Sequence, residues 1–125
     1  MTSVKQLMDE ANAQVPRIST KDAQALMAKG NTVVIDVRDA PEVAASGKVQ
    51  GALNISRGML EFRADPASPY HDANLSPDKT VIVYCASGGR SALGGKVLKD
   101  LGYANVYNLG AFKDWAESGG AVDKV

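Results

Sequence analysis

The stretch VIVYCASGGRSALGG, residues 81–95, decides the fold. With Thr80 before it, the run to Tyr84 is nearly continuously apolar and β-branched, so Thr80–Tyr84 reads as a strand covered on both faces. Cys85 follows it, then Ala86, Ser87, Gly88, Gly89 and Arg90, and Ser91 opens a stretch with helical spacing to Leu101. A strand, a glycine-rich loop and a helix in this order form the repeating unit of a parallel sheet, and such sheets bind ligands at the carboxyl ends of their strands. The chain's single cysteine therefore sits at a binding position.

The flanking sequence continues the alternation. Val4, Leu7, Met8, Ala11 and Val15 recur at helical spacing and predict an amphipathic helix that stops at Pro16. Arg17–Ser19 reads as a short strand, and Ser19 with Asp22 has capping-box spacing before a helix over Ala23–Lys29 that Gly30 ends. Further strands are expected at Thr32–Val37, Ala52–Ile55 and Asn105–Leu109. Helices are expected at Pro41–Ser46, Arg57–Arg63 and Phe112–Glu117, and the polar stretch Asp65–Lys79 reads as a surface loop. The resulting expectation is an α/β domain: a parallel or mostly parallel five-stranded sheet with helices on both faces. Residues 1–16 form an N-terminal helical extension in this reading, and 17–125 form the domain.

Composition narrows the chemistry. The 125 residues suffice for one domain with its own core. Lysine plus arginine and aspartate plus glutamate both number 14, so no broad basic field attracts nucleic acid or anionic lipid. One cysteine excludes an internal disulfide and a multi-cysteine zinc site, and no apolar run is long enough to span a bilayer. The expectation is a cytoplasmic protein with neither nucleic acid nor membrane as partner.

Glycines at positions 88 and 89 allow a sharp bend in which successive backbone N–H groups converge on one anion beside the following helix N-terminus. The nearest anion is the Cys85 thiolate. A free thiol of pKa ~8.5 is only about 3% ionised at pH 7, and a helix N-terminus with a nearby guanidinium lowers that pKa. A lone cysteine also reads as a small buried hydrophobe; the strand, glycine pair, arginine and helix around Cys85 favour a nucleophile. Gly94 and Gly95, with Val97, Leu98 and Leu101, read instead as a closely packed helix face.

Four motifs in order carry a family resemblance. CASGGRS resembles the C-x-x-x-x-R-S active-site loop of the rhodanese-like sulfurtransferases, and VVIDVRDAPEV resembles their opening D-V-R followed by glutamate. GKVQGALNI is similar to G-H-I-x-G-A-x-N-I, and LGYANVYNLGAFKDW resembles the closing segment that ends in tryptophan. The likeness spans residues 17–119, with Lys48 at a common histidine position and a long connection over 56–79. It implies a rhodanese-like fold and transfer of a sulfane sulfur from a small anionic donor, thiosulfate or a persulfide. The sulfur would pass through a Cys85 persulfide to a thiol, cyanide or a sulfur-accepting protein. Ala86, Ser87, Gly88, Gly89 and Ser91 would bind the transferred group, Arg90 would lower the thiol pKa and hold the donor's oxyanion end, and no metal or organic cofactor is required.

Other residues have plainer readings. Asp36 and Arg38 read as a structural ion pair near the pocket rim, and Phe112 and Trp115 as core. Arg57, just after a strand end, is a candidate second anion contact, with a solvated position as the alternative for it and for Arg63. His71, in the polar loop, reads as a surface residue, with a role over the pocket as the alternative. Two other functional classes stay open: a cysteine-dependent phosphatase or arsenate reductase of related fold, and a non-catalytic regulatory module. The first normally has five residues between cysteine and arginine, because tetrahedral phosphate needs more room than one sulfur atom; here there are four.

Overall fold

The computed structural model describes residues 2–125; Met1, within the expected extension, lies outside the described residues. Helix α1 spans Val4–Gln14 and begins with a capping box. Ser3 Oγ accepts the Gln6 N–H and Gln6 Oε1 accepts the Ser3 N–H, so two otherwise orphaned donors are satisfied. Helix α2 (Thr20–Lys29) starts where Ser19 Oγ accepts the Asp22 N–H, and it ends at Gly30 with φ +83°. Strand β1 (Thr32–Asp36), helix α3 (Ala40–Ser46), and the short strands β2 (Lys48–Val49) and β3 (Leu53–Asn54) follow. The connection 56–79 holds a 3₁₀ turn at Arg57–Met59 and helix α4 (Leu60–Ala64). Strand β4 (Thr80–Cys85), helix α5 (Gly89–Asp100), strand β5 (Asn105–Ala111), helix α6 (Phe112–Glu117) and strand β6 (Val122–Asp123) complete the chain.

The main sheet has four parallel strands in the order β3-β1-β4-β5, and β2 pairs antiparallel with β6 in a separate ribbon. The fold is α/β as expected, but the sheet does not have five strands. The segment expected as a fifth strand contributes one parallel bridge, Arg17 to Asn108, secured by Asn108 N–H to Pro16 O at 2.8 Å and Ile18 N–H to Asn108 O at 3.1 Å. Its shortness has a local cause. Pro16 has no N–H to extend the ladder, and Ser19 already caps α2.

Alternate side chains of β4 enter different cores, as a two-residue period requires. Val81, Val83 and Cys85 join Val15, Ile55, Leu60, Leu75 and Leu98 on one face. Ile82 and Tyr84 join Val34, Leu109, Phe112 and Trp115 on the other. Residues 65–79 are more than surface loop: Leu75 is fully buried, and the Asp72 N–H donates to the Arg63 carbonyl at 2.8 Å. His71 is half-buried, with Nε2 2.7 Å from the Leu75 carbonyl, so that nitrogen carries the hydrogen.

Helix α5 is held from both sides through its glycines. A Cβ on Gly95 would lie 2.9 Å from a Val15 methyl, and one on Gly94 would lie 3.0 Å from a Leu60 methyl. Close approach of α1 and α4 therefore requires bare α-carbons on the helix that follows the cysteine loop.

Candidate active site

Cys85 ends β4 with no exposed surface. Its Sγ accepts the Gly88 N–H at 3.0 Å and lies 3.4 Å from Ser91 Oγ. Gly88 adopts φ +99°, in the left-handed region open to glycine, and this turns its N–H inward. Burial pushes the thiol pKa up; the Ser91 hydroxyl and the N–H groups of Ser91, Ser87 and Gly88 push it further down, leaving it below the ordinary thiol value.

Ser91 has one hydroxyl hydrogen and two claimants for it. Ser91 Oγ donates to Asn108 Oδ1 at 2.8 Å, a shorter contact than the one to sulfur. While Cys85 is protonated, its S–H serves Ser91 Oγ and the hydroxyl serves Asn108. On ionisation the hydroxyl can turn to the thiolate, because Asn108 Oδ1 still accepts the Gly110 N–H at 2.9 Å. Asn108 Nδ2 also donates to the Gly88 carbonyl at 3.2 Å, so this fully buried side chain braces both ends of the loop.

The Arg90 fork is already engaged. Its Nη1 and Nη2 donate to Glu42 Oε2 and Oε1 at 2.7 and 2.9 Å, a bidentate pair linking α5 to α3. The pair holds the Glu42 carboxyl down at about 2, helped by the Asp39 N–H on the same carboxylate. Asp36 and Arg38 form a second pair, buried at 0% and 4% exposure, with the Arg38 guanidinium also donating to Ser46 Oγ and the Gly47 carbonyl. Arg38 further lies 4.5 Å above the Phe112 ring.

A cavity of about 360 Å³ opens beside the start of α3, lined by Asp39, Ala40, Asn54, Ile55, Ser56, Met59 and Arg63. Arg57 does not line it; its Nη1 donates to Glu61 Oε1 at 2.7 Å and its stem lies against Gly94. Arg63 does line it, with Nη2 on Asp72 Oδ2 at 3.0 Å and a buried Nε that has no partner among the described residues.

The model of the Rhodanese-like domain matches residues 19–118. The chain belongs to the rhodanese-like family. The human thiosulfate:glutathione sulfurtransferase is 30% identical over 112 residues, covering 84% of this chain and 96% of that protein. Thiosulfate sulfurtransferase PspE of Escherichia coli is 40% identical over 84 residues, covering 66% and 72% respectively. A solved structure from Rhodopseudomonas palustris, described as a protein of unknown function and possible tyrosine phosphatase, superposes with a TM-score of 0.90 at 38% identity, covering 98% of this chain and 96% of that one.

Within this rhodanese-like domain the structure brings together Cys85, Gly88, Ser91 and Arg90, and it buries the Asp36–Arg38 pair. Ala86 and Ser87 are exposed at the loop's outer edge. Sequence reading did not single out Asn108 or assign Glu42 a partner. A polar residue inside a strand that reads as apolar was the available sign for the first, whereas a pair 48 positions apart leaves no local trace. Helix α1 lies outside the matched region, yet Ala11 and Val15 are buried against the domain.

A first measurement follows from the thiol environment. The rate of Cys85 alkylation by iodoacetamide should titrate with a midpoint below that of a free cysteine, because the lowered pKa raises the thiolate fraction at neutral pH. Ser91→Ala should move the midpoint upward, since it removes a hydrogen-bond donor to the charged form. A midpoint at or above the free-cysteine value would mean that burial prevails.

Proposed function

We propose that this rhodanese-like protein is a thiosulfate or persulfide sulfurtransferase that works through a persulfide on Cys85. The observation that carries the reading is a buried thiol whose Sγ accepts the Gly88 N–H at 3.0 Å and whose pKa is nonetheless lowered. The thiolate attacks the outer sulfur of thiosulfate, the S–S bond of the donor breaks, and sulfite leaves with the bonding pair. An acceptor thiolate or cyanide then attacks the outer sulfur of the Cys85 persulfide, giving a new persulfide or thiocyanate and restoring the thiolate. The loop N–H groups and the Ser91 hydroxyl stabilise negative charge on Cys85 and, after transfer, on the terminal sulfur.

The sequences of the human and E. coli relatives support the same chemistry. Tyrosine phosphatase chemistry, suggested in the description of the R. palustris structure, is disfavoured by loop length. Only Ala86, Ser87, Gly88 and Gly89 separate Cys85 from Arg90, and the Glu42 carboxylate occupies the arginine fork. The cycle requires a reduced thiol at the start, which a reducing cytoplasm would maintain.

Because Cys85 completes its strand with no exposed surface, entry of donor requires movement of the exposed Ala86–Ser87 edge or of the Arg90–Glu42 pair.

Intact-mass spectrometry after incubation with thiosulfate tests the proposal. The protein should gain the mass of one sulfur atom and lose it on addition of cyanide or a small thiol. Failure to load with thiosulfate and with a low-molecular-weight persulfide would end the sulfurtransferase reading.

A further inference from the structure

The chain has five arginines, Arg17, Arg38, Arg57, Arg63 and Arg90. Four of them are paired with carboxylates, from Asp36, Glu61, Asp72 and Glu42 respectively. Arg17 is exposed and has no carboxylate partner among the described residues. Its position is not arbitrary. The residues on either side of it bond to the backbone of Asn108, whose side chain braces the cysteine loop, so the root of Arg17 is fixed relative to that loop.

Its guanidinium rests on two bare α-carbons. A Cβ on Gly88 would lie 2.9 Å from Arg17 Nη1, and one on Gly110 would collide with the guanidinium. Both glycines have left-handed φ, +99° and +89°, so this seat depends on them twice, for conformation and for space. One residue therefore separates the charge from the thiol: Gly88 gives its N–H to Cys85 Sγ and its α-carbon face to Arg17. A charge this close acts well within one screening length.

We infer that Arg17 is the anion-recruiting residue of the site, selecting negatively charged sulfur donors over neutral ones from its seat beside the Cys85 loop. Its part in donor choice rests on the sulfurtransferase reading; its electrostatic part does not. Arg90 cannot fill this role while its fork is closed on Glu42, whereas the Arg17 charge is free to attract an incoming anion.

The test uses the single thiol as its own probe. Iodoacetate and iodoacetamide alkylate the same Cys85, one carrying negative charge and the other none. In Arg17→Gln at low salt the iodoacetate rate should fall about 5-fold while the iodoacetamide rate changes less than about 2-fold, and Arg17→Lys should recover most of the loss. The KM for thiosulfate should rise in Arg17→Gln with kcat nearly unchanged. If both reagents slow equally, Arg17 only supports the Gly88 turn and the inference is overturned; the same holds if neither slows. If Arg17→Gln does not fold, Arg17→Met keeps the stem and removes the charge, and the same ratio decides. A protein that takes no sulfur from any donor but keeps the Arg17-dependent alkylation ratio would lose the proposed function and retain this inference.

Discussion

Replacing Cys85 by serine should lower thiosulfate:cyanide turnover by about four orders of magnitude or more, to the rate of the uncatalysed reaction. Serine fits the site, since its oxygen can accept the same Gly88 N–H and face the same Ser91 hydroxyl. Far-ultraviolet circular dichroism and the unfolding midpoint should therefore stay close to wild type. What changes is the nucleophile. An alcohol remains protonated at neutral pH even where a thiol pKa is lowered, and an oxygen attached to sulfane sulfur is not a persulfide. No second thiol can substitute, because the chain has no other cysteine. Turnover within 10-fold of wild type would mean that the sulfur passes directly between donor and acceptor in a bound complex.

Asp36→Ala should destabilise the fold by about 3–5 kcal/mol, measured as a lower urea midpoint at unchanged slope. The wild-type carboxylate is fully buried and takes the Arg38 guanidinium at 2.7 Å and the Arg38 N–H at 3.0 Å. Without it, Arg38 keeps Ser46 and the Gly47 carbonyl but remains a buried charge with no counterion. The cost comes from that orphaned charge more than from the lost attraction. Lys5 and Asp9 form a fully solvated pair on α1, and Asp9→Ala should leave the midpoint unchanged. Equal effects of the two substitutions would contradict a role for burial.

The parts of the fold that were legible in the sequence share a feature: each announces itself within a few residues. Thr32–Val37 and Thr80–Tyr84 were readable because β-branched runs need no distant partner to be recognised, and the cap at Ser19 is a local hydrogen bond. The strands β2 and β6 were not readable, because each has two residues and, unlike β3 within Ala52–Ile55, neither lies in a longer apolar run. The expected fifth strand had a plausible local pattern; its reduction to one bridge depends on Pro16 and the α2 cap together.

The site divides in the same way. The Cys85 loop could be read from glycine spacing and the strand before it. Glu42 on Arg90 could not, and neither could Arg17 on Gly88, since both contacts are made by parallel-sheet topology across dozens of residues. Arg57 and Arg63 illustrate the limit. A position after a strand end suggested the former, but the 3₁₀ turn aims Arg57 at Glu61 and leaves Arg63 on the cavity wall.

The place of β4 in the sheet has a kinetic consequence. Its neighbours are β1 and β5, both parallel to it; Thr32 meets Thr80, and Val81 meets Val106. Neither pairing can form as a local hairpin, so each requires closure of a long loop and comes slowly. Until both are made, Cys85 is an ordinary thiol on an unstructured chain, with the ionisation and the exposure to oxidants of any peptide cysteine. The lowered thiol pKa thus appears only when the most distant contacts are complete, and this one sulfur atom keeps time for the topology of the whole domain.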